Sequence, residues 1–195
     1  MPSIVGIMNK ALRLIGQTEI ASPEQQTPSA VRCSAAWRDV VDEVLRAHPW
    51  AHATVWAALS KSDTPPPFGF AHAYVLPADC VRVIDVRADG NLARQGLPFE
   101  VVRGSIYTDA APCNTRYVAR DADPTFWPPD FCDAVAAKLA AEVALPLARD
   151  GGAMMRAMLD RYQWVVDAAR LNDAATSREV ELDEGAECCF IKARG

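Results

Sequence analysis

Apolar positions follow helical spacing near both ends of the chain and short alternating or aromatic runs between them. Ile4, Ile7, Met8, Ala11, Leu12 and Ile15 recur at i, i+3, i+4, which predicts a helix over residues 3–16. Ser3 is placed to cap it and Gly16 to stop it. A polar stretch with Pro23 reads as a loop, and Thr27-Pro28 opens a second helix, with a capping hydroxyl and a proline at the first helical position. Its apolar stripe is Trp37, Val40, Val41, Val44 and Leu45, against Arg38, Asp39, Asp42 and Glu43. The helix stops at His48-Pro49-Trp50, because the residue before a proline is pushed out of the helical region. Residues Ala51 to Leu59, small and aromatic, suit a strand.

The middle of the chain reads as β structure. Pro65-Pro66-Pro67 is a stiff extended connector. Runs rich in β-branched and aromatic residues follow at Phe70–Leu76, Val81–Arg87, Phe99–Val102 and Arg116–Ala119. Pro77-Ala78-Asp79, Asp89-Gly90-Asn91 and Ala111-Pro112 separate them, and Asp89-Gly90 is a hairpin-type turn. Helical spacing returns after Trp127-Pro128-Pro129-Asp130 with Phe131, Val135, Leu139 and Val143 on one face, and Pro146 is expected to kink or end that helix. Gly151-Gly152 is expected to form a turn before a fourth helix over about 153–175, striped by Met155, Met158, Leu159, Tyr162, Val165, Val166 and Ala169. The order predicts an α+β chain: a four-helix bundle from residues 1–50 and 125–177, an inserted antiparallel β subdomain at 51–124, and an extended C-terminal arm at 178–195.

Charge and composition narrow the function. A net charge of −5 argues against a protein that grips nucleic acid through its phosphates. No apolar run approaches the roughly 20 residues that span a bilayer, and residues 1–17 lack the basic leader of a signal peptide. The six cysteines, Cys33, Cys80, Cys113, Cys132, Cys188 and Cys189, form no CxxC and are expected to be reduced thiols.

Candidate chemistry fails residue by residue. His48 and His52 stand four apart, but Pro49 breaks the helix that would align them for a metal, leaving His48 as a helix-end histidine near the last carbonyls. His72 has no nucleophile in a motif nearby, Ser105 lacks the GxSxG context, and Gly151-Gly152 has no phosphate-loop flanks. Asp39, Asp42 and Glu43 read as a solvated helix face, and Arg82, Arg87, Arg94, Arg103, Arg116 and Arg120 as a mixed surface. The expectation is a protein without catalytic residues, cofactor or metal.

Five segments taken in order, NKALRLIGQTEIASPEQ, WRDVVDEVLRAHPWAHATVWAAL, YVLPADCVRVIDV, DPTFWPPDFCDAVAAKLAAEVALPLA and RYQWVVDAARLNDAATSRE, resemble the tail tubular protein A family of short-tailed phages. Members of that family are head-to-tail adaptors. The resemblance implies a structural virion protein without catalysis, located in the neck and assembled in the host cytoplasm. It further implies a homo-oligomeric ring, a dodecamer in the family, seated beneath the portal and carrying the tail tube or nozzle protein. Double-stranded DNA would pass through the ring's channel without sequence-specific binding, and no membrane is involved.

In that frame the arm residues Arg178, Glu179, Val180, Leu182, Phe190 and Ile191 form a portal-docking element, and His48, Pro49 and Trp50 form a structural helix-to-sheet corner. The alternative is a tail-associated cell-wall hydrolase of muramidase type, which needs two carboxylates flanking a cleft. A third reading is a host-encoded helical binding module.

Overall fold

The computed structural model describes residues 2–88, 96–120 and 123–176; the Asp89-Gly90 turn and the 178–195 arm lie outside them. The first two helices form where their caps require. Helix α1, Ile4–Leu14, starts with the Gly6 amide donating to the Ser3 hydroxyl, and α2, Pro28–Ala47, with the Ala30 amide donating to Thr27. The corner leads through a single 3-10 turn, Ala51–Ala53, into β1, Thr54–Ala58.

Five more strands follow: β2 (His72–Val75), β3 (Cys80–Arg87), β4 (Phe99–Val102), β5 (Ser105–Thr108) and β6 (Asn114–Ala119). They make two three-stranded antiparallel sheets, ordered β1-β6-β3 and β2-β5-β4. Strand β5 is absent from the sequence expectation. It pairs with β4 through the two-residue turn Arg103-Gly104, whose φ angles of 47° and 78° are those a tight hairpin demands. Helices α3, Pro129–Leu147, and α4, Gly151–Thr176, complete the chain.

The expected four-helix bundle does not form. Helices α1, α2 and α4 each pack on α3, which runs through the middle as a hub. The reason lies in the residues between the stripe positions. Besides Phe131, Val135, Leu139 and Val143, the alanines at 134, 136, 137, 140, 141 and 144 are all buried, so α3 has almost no solvent face. Alanine's small side chain lets a neighbour approach closely on every side. The first sheet joins this core through Val81 and Val118, and a second cluster of Tyr74, Val86, Ile106, Ala110 and Cys113 ties the two sheets together.

One charge enters the hub. Lys138 is 8% exposed, its ammonium 2.8 Å from Glu43 and 3.6 Å from Glu142, and 5.7 Å from the centre of the Tyr162 ring. Burial alone would lower its pKa, but the Glu43 hydrogen bond and the two carboxylate charges outweigh it and leave the pKa raised, so the lysine stays charged. Asp42 holds Arg120 in a two-pronged pair at 2.7 and 2.6 Å, joining α2 to the chain just after β6. Asp42 and Glu43 therefore clasp neighbouring elements, where the sequence suggested a solvated face.

Gly151 is the first residue of α4, not part of a free turn. A Cβ there would meet Leu145 O at 2.6 Å, Leu145 Cα at 2.8 Å and Ala144 O at 2.9 Å. The close turn from α3 into α4 thus requires a glycine, even though a glycine inside a helix is intrinsically unfavourable. Gly151→Ala is expected to destabilise the protein by about 1–3 kcal/mol, the usual cost of forcing extra volume against packed backbone, as read from urea denaturation midpoints. Gly152→Ala, with nothing within 4 Å, is expected to be neutral or mildly stabilising.

Candidate functional site

The His48-Pro49-Trp50 corner is built by satisfying the end of α2. Pro49 holds His48 extended (φ −152°, ψ 151°), leaving carbonyls of the last turn without helical donors. Side chains supply them: Trp50 Nε1 donates to Val44 O at 2.8 Å, Arg82 Nη1 to Arg46 O at 3.2 Å and Arg170 Nη2 to Ala47 O at 3.1 Å. Two of these three donors are cationic, which suits the negative end of the helix dipole. Arg46 returns the favour by donating to Val81 O at 2.9 Å, locking α2 to β3.

His48 does not face those carbonyls. Its Nε2 lies 3.1 Å from Asp173 Oδ2, near the end of α4, and the Asp173 carboxylate also accepts from the Ala51 amide at 3.1 and 3.2 Å. Trp50 is buried, its ring edge-on to Phe131 at 5.1 Å. His52 packs on the same Phe131 at 4.5 Å, and Trp127 edges it at 5.0 Å while stacking with Trp37 at 6.2 Å. The two histidines flank the Trp50 ring, at 4.9 and 6.2 Å, but differ in their other neighbour, a carboxylate for His48 and the Phe131 ring for His52. Among the described residues no group of three or more His, Cys, Asp and Glu side chains is placed to hold a metal.

Beside the corner runs a groove. Its first part, about 370 Å³, is lined by His48, Pro49, Ala51, Thr54, Trp56, Ile84, Arg116, Asp173 and Ala174. Its second part, about 230 Å³, is lined by Trp56, Ala57, Ala58, Asp85, Arg87, Asn114, Thr115 and Arg116. Trp56 and Arg116 belong to both, because strand pairing sets them directly opposite each other on β1 and β6. The Arg116 guanidinium sits 5.5 Å from the centre of the Trp56 ring, and Asp85 Oδ2 accepts from Arg116 at 3.2 Å and Arg87 at 3.1 Å. The arrangement sets a flat, 54% exposed indole beside guanidinium groups held in place by Asp85. The sequence listing of scattered arginines concealed it, since only the register of β1, β6 and β3 brings these side chains together.

The other residues weighed from sequence are dispersed. His72 and Ser105 lie on β2 and β5 of the second sheet. The arm residues Arg178, Glu179, Val180, Leu182, Phe190 and Ile191, and the Cys188-Cys189 pair, lie outside the described residues. Cys33, Cys80, Cys113 and Cys132 are free thiols. Burial pushes Cys33, Cys113 and Cys132 up to about 11, and burial with the neighbouring Asp79 charge raises Cys80.

No model of a known protein family matches the chain, and no curated protein does.

Two outcomes are expected. Asp173→Ala should cost about 1–3 kcal/mol through the loss of a charged acceptor and speed hydrogen exchange of the Ala51 amide. At pH 8 only about 0.1% of each of the three deeply buried thiols is ionised. Peptide mapping should therefore find Cys33, Cys113 and Cys132 unalkylated by iodoacetamide in the native protein, with labelling rising as the pH climbs toward 11.

Proposed function

We propose that the chain is a structural virion protein, a ring-forming head-to-tail adaptor that joins the portal to the tail tube or nozzle and extends the DNA channel. What supports this reading is the order and spacing of five segments, residues 9–25, 37–59, 74–86, 123–148 and 161–179, that resemble the tail tubular protein A family. The geometry is in keeping with a subunit that buries more surface in an assembly. Trp164 and Leu171 are 73% and 74% exposed and stand seven residues apart, so they share one face of α4. Val31 on α2, Phe68 between β1 and β2, and Phe126 ahead of α3 are also exposed, at 49%, 85% and 79%. Large apolar side chains on several distinct elements suit a heterologous ring, in which each subunit presents two unlike faces to its neighbours.

In this proposal the arm, from Arg178 to Ile191, docks on the portal, and the corner is the joint between the part that meets ring neighbours and the part that meets the tail. DNA slides through a ring whose net negative subunits hold it weakly.

The double variant Trp164→Glu, Leu171→Glu tests the lateral face. Because both side chains are exposed, monomer stability should change by no more than about 0.5 kcal/mol per site. Sedimentation velocity with portal rings encoded in the same genome should show the wild-type chain co-migrating with the portal and the variant failing to form a ring. A wild-type chain that stays monomeric beside the portal removes the proposal.

A further inference from the structure

We propose that the groove over Trp56 and Arg116 receives the acidic stretch 179–187 of the same chain, making the sheet a holding site for the arm. Three observations lead there. The first is where the described chain ends: Asp173 and Ala174 line the groove's entrance, Asp173 is pinned to the corner through His48 and Ala51, and α4 finishes at Thr176. The described chain therefore ends beside the groove. Nine extended residues reach about 30 Å, against about 17 Å for a strand the length of β1.

The second is an incomplete cover over one face of the sheet. Alternation places Thr54, Trp56 and Ala58 on one side of β1, with Val118, Arg116 and Asn114 opposite them on β6. Val118 is fully buried in the helical core, whereas Trp56, two residues along the same face, is 54% exposed. The helices cover one end of this face and leave the other as an open trough.

The third is complementarity. The trough's charged lining is Arg87, Arg116 and Asp85, beside the indole of Trp56 and the methyl group of Ala58. The sequence that follows α4 carries Glu179, Glu181 and Asp183 alternating with Val180 and Leu182. In an extended chain that alternation sends carboxylates to one side and apolar side chains to the other, matching the Trp56 floor and the two arginines, whose charge the single Asp85 carboxylate offsets only in part. The inference is independent of the adaptor reading. If the protein does serve as an adaptor, a portal that takes the arm must first displace it from the trough.

Hydrogen exchange of the amides at 179–187, followed by mass spectrometry on the full-length chain, is the test. We expect exchange about tenfold slower than in a free peptide of the same sequence. Protection should be lost in Arg116→Glu, in Trp56→Ser, and in the arm variant Glu181→Gln, Asp183→Asn, Glu184→Gln, which alters no described residue. It should also weaken at high salt. The proposal is overturned if the wild-type segment exchanges at the free-peptide rate or if the groove variants leave its protection unchanged. It is equally overturned if protection grows with protein concentration, which would place a second copy's segment in the groove, or arises only once a partner protein is added.

Discussion

Everything in this structure depends on the burial of α3 from all sides. A helix that carries Phe131, Val135, Leu139 and Val143 on one face and alanines on the others can be approached closely by three helices at once. The close approach has two local requirements. Gly151 must lack a side chain where the chain doubles back into α4, and Lys138, the charge drawn into the hub, must reach Glu43 and Glu142. Lys138 serves as a tether at the hub's rim, because its carboxylate partners remain half-exposed to water while its own side chain is buried.

The corner transmits that arrangement to the sheets. Trp50 both fills the aromatic cluster around Phe131 and caps α2 with its indole N–H, so one side chain fixes the helix end and the direction of β1. Asp173 then fastens the end of α4 to the same place. As a result the start of the first sheet, the end of α2 and the end of α4 meet at one point, and the groove over Trp56 and Arg116 opens directly beside it.

Local signals in the sequence mark the ends of elements well and their partners poorly. Ser3, Thr27 and Pro49 mark helix ends because capping and the pre-proline restriction act within a few residues. The bundle expectation fails because alanine is compatible with a solvent face as readily as with a buried one, so the stripe on α3 looked like its whole apolar surface. Gly151 reads as a turn because glycine's common role is conformational, whereas here its role is to clear the backbone of α3. Strand β5 is four residues long with hydroxyl residues at both ends, too short for alternation to stand out. The groove was illegible for a different reason. Trp56, Asp85 and Arg116 are far apart in sequence and meet only through strand register, which no local pattern encodes.

The proposed role turns on assembly, so it is most directly read from an image of the assembly. Electron microscopy of the chain mixed with portal rings, the partner that the proposal assigns to it, tests the adaptor reading. The account predicts a second ring stacked coaxially on the portal, with the central channel continuing through both. Bare portal rings beside dispersed single subunits, at concentrations where both proteins are folded, would contradict it.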